Sequence, residues 1–115
     1  STAGHMTVYE GQQASLPCPG FNRTYFKDAV FQWMKGRNTS DTNEIERVAV
    51  HSATYNSTMT FGTMQDRASV QSMTGVLTIS KARLDDAHHY ICRFKYSPSD
   101  MFQNEIRLVV MPAIT

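Results

Sequence analysis

The residues best suited to chemistry lie in one short stretch, 84–92, which ends in a tyrosine, an isoleucine and a cysteine. A hydrolytic site would need a serine or cysteine beside a histidine that an acid orients. A metal site would need several such ligands to converge on one point. The candidates for either role are Asp85, Asp86, His88 and His89.

This stretch reads as the start of a β-strand, which weakens both kinds of chemistry. Adjacent side chains on a strand point to opposite faces, so His88 and His89 cannot converge on one ion or one substrate atom. The sequence lacks the Gly-x-Ser-x-Gly turn that presents a nucleophilic serine, and it lacks a phosphate-binding glycine loop. We therefore expect a protein that is not an enzyme and that holds no metal and no cofactor.

The length and composition are typical of one globular domain. A chain of 115 residues can bury an adequate core, and a hydrophobic fraction of 41% is ordinary for it. A formal net charge of +1, with the basic residues scattered among acids, gives no support for nucleic-acid binding. No apolar run approaches the roughly 20 residues of a membrane-spanning helix. Residues 1–5 are typical of an expression-tag remnant, so we expect a domain over 6–111 and the start of a linker at 112–115.

Two cysteines and three sequons bear on the compartment. Cys18 and Cys92 lie far apart in the sequence and could be two buried thiols or one bridge. Disulfides are rare in cytosolic proteins, whereas Asn-x-Ser/Thr sequons in predicted loops favour a secretory route. The sequon asparagines are Asn22, Asn38 and Asn56. They favour an extracellular glycoprotein with the bridge formed.

Short runs of alternating apolar and polar residues predict an all-β chain without a helix of useful length. Pro17 would fit only at the edge or at a bulge of its strand, because it cannot donate a backbone hydrogen bond. The predicted strands cover residues 6–9, 14–18, 30–35, 45–51, 55–61, 65–70, 76–79, 92–96 and 106–110.

The alternation within these strands assigns side chains to faces. Trp33 is expected to point inward together with Phe31, so Gln32 and Met34 would point outward. The same alternation in segment 45–51 places inside Val48 and Val50, and outside Arg47, Ala49 and His51.

Over residues 6–111 the sequence resembles the variable-type (V-set) immunoglobulin domain. The resemblance lies in Cys18, Trp33 and Cys92 in this order, with Tyr90 two residues before the second cysteine. It implies a two-sheet antiparallel Greek-key sandwich with one inter-sheet disulfide, Cys18–Cys92. It also implies that Trp33 packs on the sulfurs and that the Tyr90 hydroxyl ties the turn before its strand.

Two further charges match the family pattern. Arg67 and Asp86 stand where V-set domains commonly pair an arginine with an acid, although both could instead be solvated surface charges. Within the family, Val48-Ala49-Val50-His51 and Tyr90-Ile91-Cys92-Arg93-Phe94 are most similar to the outer domains of nectins and nectin-like receptors. Leu16-Pro17-Cys18 is similar to the coxsackie-adenovirus-receptor group.

The resemblance implies an extracellular recognition module of a type I membrane protein at the cell surface. V-set domains pair through the sheet made by their C, C′, F and G strands, so we expect binding in trans, to the same domain or a related one. Interface centres favour Met and Arg among other residues. The residues expected on this face are Gln32, Met34, Arg47, Ala49, His51, Ile91, Arg93, Lys95 and Arg107.

An alternative is an innate immune receptor that binds a microbial or carbohydrate ligand with its BC and FG loops. The anchors of such a site would be Tyr25, Phe26, Met101 and Phe102. A glycan at Asn22 would shade this end of the domain and leave the sheet face open, which favours the face.

Overall fold

The structure of the protein is a computed structural model that describes residues 2–18, 30–36, 45–52, 55, 57–71, 74–95 and 101–113. Within them, single turns of 3-10 helix span Gly62–Met64 and Leu84–Asp86, and neither approaches the length or apolarity that a membrane span needs. The strands are β1 (Thr2–Tyr9), β2 (Ala14–Leu16), β3 (Val30–Gly36), β4 (Ile45–Ser52), β5 (Ser57–Thr60), β6 (Ala68–Val70), β7 (Leu77–Ile79), β8 (His89–Lys95) and β9 (Met101–Met111).

The strands form two sheets, as the sequence predicts. The larger sheet has six strands in the order β1-β9-β8-β3-β4-β5, and the smaller has three in the order β2-β7-β6. Neighbours are antiparallel except β1 and β9, which pair in parallel. The all-β sandwich is therefore confirmed, with one parallel pair at the edge of the larger sheet.

The core lies between the sheets and draws on nearly every strand. Its largest fully buried side chains include Trp33, Tyr90, Phe31 and Phe94 from the larger sheet and Leu16 from the smaller one. Each buried apolar side chain of this size contributes roughly 1.5–3 kcal/mol relative to leaving it exposed. The fold is thus held by inward positions, which leaves the opposite side of the larger sheet available for function.

Two strand boundaries differ from the sequence expectation. β1 begins at Thr2, which lies opposite Glu105, so residues expected to be a tag remnant are part of the larger sheet. β2 ends at Leu16, just before Pro17, because a proline nitrogen has no hydrogen to continue the ladder.

A β-bulge in β4 changes which of its residues face the core. Trp33 lies opposite Ala49 and Met34 opposite Arg47, so Val48 is an extra residue between two regular pairs. Such an insertion reverses the faces of every residue beyond it. As a result, Val48, Ala49 and His51 are buried, and Val50 is half-buried.

The expected outward positions of Ala49 and His51 are therefore wrong. Ala49 belongs to the core cluster, and His51 lies opposite the buried Phe31, where its Nδ1 is 2.8 Å from Thr58 Oγ1. Strict alternation counted from Arg47 predicts the wrong faces, because Val48 is an extra residue with no opposite residue in β3. Val50, expected inside, lies opposite Gln32 on the outer side instead.

Candidate recognition surface

The turn before β8 is tied to that strand by Tyr90. Its side chain is fully buried, and its hydroxyl donates a 2.6 Å hydrogen bond to the backbone carbonyl of Asp86. Burial, followed by the negative charge of Asp86, raises the pKa of the Tyr90 hydroxyl far above its ordinary value. The hydroxyl therefore stays protonated and acts as a structural donor, as the family resemblance implies.

The expected pair between Arg67 and Asp86 is present. Arg67 Nη2 lies 2.5 Å from Asp86 Oδ2, and Nη1 lies 3.4 Å from Oδ1. The same carboxylate accepts a 2.8 Å hydrogen bond from the Arg83 backbone N–H. Because Asp86 is only 2% exposed, its contacts with Arg67 and with the Arg83 backbone stabilise the sandwich and do not present the carboxylate to a substrate.

The histidines of this stretch do not assemble a chemical site. The backbone carbonyl of His88 accepts a hydrogen bond from Leu108 N–H, and His89 lies opposite Arg107 in the larger sheet. In the part of the chain that the structure describes, no three His, Cys, Asp or Glu residues group as metal ligands would.

The disulfide joins the two sheets. Cys18 follows β2 and Cys92 lies within β8, with their Cα atoms 6.0 Å apart. Trp33 lies directly opposite Cys92, and its indole N–H donates a 2.8 Å hydrogen bond to the Gly75 carbonyl. This second tie between the sheets was not expected from the sequence, although a buried indole N–H usually finds an acceptor and Gly75 stands in a predicted turn.

We call the side of the larger sheet that points away from the core the outer face. Its central row crosses four strands, with Glu105, Ile91, Met34 and Arg47 opposite one another. Opposite residues in adjacent strands share a face. Ile91 and Met34 are 8% and 7% exposed, so they form a floor that their neighbours largely cover. The ends of the row carry opposite charges.

A second row lies one step further along the strands. It crosses Gln103, Arg93, Gln32, Val50 and Met59. Arg93 donates from Nε and Nη2 to Gln103 Oε1 at 3.0 and 2.8 Å, which holds the guanidinium across β8 and β9. Met59 is 62% exposed and extends the row to the edge strand β5.

Most of the residues expected on this face lie there. Gln32, Met34, Arg47, Ile91 and Arg93 take outer positions, and Lys95 is the last residue of β8, opposite Met101. Sequence reasoning missed four members of the face. Alternation in β9 from the inward Ile106 would have found two of them, and the bulge hid a third. The missed residues are Gln103, Glu105, Val50 and Met59.

The alternative loop site is only partly described. Phe102 lies within β9 rather than at a loop tip, and its ring stacks on Phe94 with centroids 4.7 Å apart. Met101 is the first residue of the same strand. Five predicted site residues lie outside the described residues, namely Tyr25, Phe26, Asn22, Asn38 and Asn56.

The inter-sheet disulfide, the buried tryptophan, the tyrosine corner and the six-stranded sheet define a variable-type immunoglobulin domain. The model of the immunoglobulin V-set domain family matches residues 1–111, and the chain belongs to this family. Domains of this family are typical of cell-surface recognition and adhesion proteins.

Several solved structures share the fold. The first Ig-like domain of human CD48 is 20% identical, with a TM-score of 0.77 over 100% of this chain and 89% of that one. Murine CEACAM1b is 20% identical, with a TM-score of 0.74 over 95% of this chain and 51% of that one. The two tandem V-type regions of VCBP3, a v-region-containing chitin binding protein, are 22% identical, with a TM-score of 0.76 over 96% and 44%. The chain thus spans about half of the last two. A comparison with curated protein sequences finds no match.

Proposed function

We propose that this domain is the extracellular recognition module of a cell-surface adhesion or recognition receptor of type I topology. It binds a second immunoglobulin V domain, its own copy or a related one, in trans through the outer face. The observation that carries this proposal is the central row, in which an apolar floor of Ile91 and Met34 is flanked by the charges of Glu105 and Arg47.

The composition of the outer face suits a protein partner. Protein interfaces combine an apolar centre with a polar rim, and arginine is among the residues that contribute most to binding. Arg93 is held in place by Gln103, so it loses less conformational freedom on binding than an unrestrained arginine would. The small exposure of Ile91 and Met34 predicts a contact dominated by polar side chains.

Such a contact is weak for one domain and is strengthened by many copies. In the described part of the chain, the exposed large apolar side chains nearest the face are Met59 on β5, Val30 at the start of β3 and Tyr55 between β4 and β5. When many copies are held on one cell surface, each binding event after the first is effectively intramolecular. The overall avidity therefore rises without any new contact.

Sedimentation velocity over a concentration series tests whether the outer face is the contact. We expect self-association of the wild-type domain and a loss of it in Arg93→Glu. Lys81→Glu makes the same charge change in the connection after β7, outside the larger sheet, and should associate like the wild type. Equal association of Arg93→Glu and the wild type would contradict the proposal.

The alternative function is recognition of a microbial or carbohydrate ligand through the BC and FG loops. The likeness to VCBP3, whose name describes a chitin-binding protein, supports it. Because the Phe102 ring stacks on Phe94, the anchors that remain for such a site are Tyr25, Phe26 and Met101. Retention on insoluble chitin that is lost in a Tyr25→Ala/Phe26→Ala double variant, and kept in Arg93→Glu, would favour this function over the sheet face.

A further inference from the structure

The central row of the outer face reverses its charge from one end to the other, with Glu105 on β9 and Arg47 on β4. We propose that two copies of this domain pair through their outer faces in a parallel arrangement, with Glu105 of each copy against Arg47 of the other. This inference rests on the proposed function, because it uses the same surface, and it narrows that function: the second copy is a partner on the same membrane, and the trans partner is a related V domain. It adds the orientation of the pair and therefore the membrane on which it forms.

The pairing follows from the symmetry of a two-copy contact. A two-fold axis that lies between β8 and β3, along the strands, exchanges the two sides of the row. Glu105 then faces Arg47 of the second copy, and Ile91 faces Met34. The two ion pairs are symmetric and lie about 14 Å apart, three strand spacings, with the apolar floor between them.

The neighbouring rows accept the same axis. In the second row, Arg93 faces Gln32 of the other copy and Gln103 faces Val50. A third row lies on the other side of the central row and crosses Arg107, His89, Gly36 and Ile45. The axis brings Arg107 of one copy to Ile45 of the other, and His89 to Gly36. The axis thus brings no two cations of these rows together.

The antiparallel arrangement is disfavoured by the same charges. An axis across the strands brings each strand against its own copy, so along the central row Glu105 meets Glu105 and Arg47 meets Arg47. An axis along the second row sets Arg93 against Arg93, and one between the rows sets Arg93 against Ile91. Like charges brought together at an interface act against that arrangement.

The orientation has a consequence for regulation. In a parallel pair, β9 runs in the same direction in both copies, so both chains continue beyond Met111 at the same end. Two copies on one membrane meet this condition. Because the pair covers the outer face, it competes with partners presented by an opposing membrane, and the trans role is left to a related V domain.

Cysteine cross-linking of single variants distinguishes the orientations. We expect a short bismaleimide to join Glu105→Cys to Arg47→Cys when the two variants are mixed. The yield should be several-fold higher than for either variant alone. Ser69→Cys, on the exposed side of the smaller sheet, controls for random collision. Cooperative unfolding of each variant with the native disulfide intact verifies the fold.

Each remaining outcome of the cross-linking overturns the parallel pair. Preferential cross-linking of Glu105→Cys to itself, or of Arg47→Cys to itself, shows an antiparallel pair and leaves the proposed function standing. Yields at the level of Ser69→Cys in every mixture show that the copies do not pair by this row. The proposed function is contradicted by a different result, namely that Arg93→Glu self-associates as strongly as the wild type.

A charge exchange gives a second, independent readout. Glu105→Arg and Arg47→Glu each disrupt both symmetric ion pairs. Each change should therefore weaken self-association about a hundredfold, since the low end of coupling measured for one close interfacial charge pair is about tenfold. The double variant with both changes should recover most of the loss, because each pair is rebuilt with its charges reversed. A double variant as weak as the single ones would overturn the inference.

Discussion

The hydroxyl of Tyr90 donates a hydrogen bond to the backbone carbonyl of Asp86, four residues earlier, and both residues are buried. This contact ties the Leu84–Asp86 turn to β8. Because alternate residues of β8 face opposite sides, the buried position of Tyr90 sets Ile91 and Arg93 on the outer face. The corner therefore links the stability of the sandwich to the position of the binding surface.

Removing this hydroxyl should destabilise the domain without changing its fold. We expect Tyr90→Phe to lower the free energy of unfolding by about 1–3 kcal/mol, because the Asp86 carbonyl would lose its donor in a buried environment. Tyr55→Phe, at a side chain that is 81% exposed, is the matched control and should change little. Urea unfolding of both variants checks this, and equal stability of the two would contradict the role of the corner.

The same residue predicts a dependence of stability on alkaline pH. The pKa of Tyr90 is raised in the folded state above its unfolded value of about 10. Above that pH the unfolded chain releases a proton that the folded chain keeps, so stability is full below about pH 10 and falls as pH rises further. The slope from this group approaches about 1.4 kcal/mol per pH unit. Tyr90→Phe should lack this part of the slope, and an unchanged slope would show another origin.

The two ion pairs differ in the exposure of their carboxylates, which is 2% for Asp86 and 58% for Glu46, and the pair with the buried carboxylate should matter more. We expect Asp86→Asn to cost about 3–5 kcal/mol, because it leaves the Arg67 guanidinium without its countercharge in a largely buried place. Glu46→Gln removes the carboxylate of the 3.7 Å pair with Lys35, but Glu46 is 58% exposed, so the cost should be about 0–1 kcal/mol. Thermal unfolding in low salt compares them, and similar losses would contradict the assignment.

The disulfide should contribute to stability as a tie between distant parts of the chain. We expect Cys18→Ala/Cys92→Ala to lower the free energy of unfolding by about 3–5 kcal/mol, since the bridge closes a loop with a sequence separation of 74. Urea unfolding of the double variant, compared with the wild type under oxidising conditions, measures this. A loss below about 1 kcal/mol would show that the core alone holds the sheets.

The framework could be predicted because the chain resembles V-set domains in the order and spacing of a few residues. This resemblance implied the roles of Tyr90, Cys92 and Arg67, and the alternation around Trp33 predicted which side of its strand faces inward. The positions of Ala49 and His51 could not be predicted, because the bulge at Val48 arises from the register between β3 and β4. A non-local pairing of this kind leaves no mark in the alternation of a single strand.

The charge pattern of the outer face was hidden for a related reason. Glu105 and Arg47 are far apart in the sequence, and they lie in one row only because β9, β8, β3 and β4 are adjacent. Charge alone therefore could not indicate that the two ends of the face complement each other. The sequence predicts a recognition face, and the strand order adds its internal symmetry.

The most direct test of the binding surface is the concentration dependence of amide NMR shifts in the isolated domain. We expect the shifts that change with concentration to cluster at Gln32, Ile91, Arg93 and Gln103 on the outer face, and to disappear in Arg93→Glu. Changes confined to Ser69 and Thr78 on the smaller sheet, or to residues 21–29, would contradict binding through the outer face.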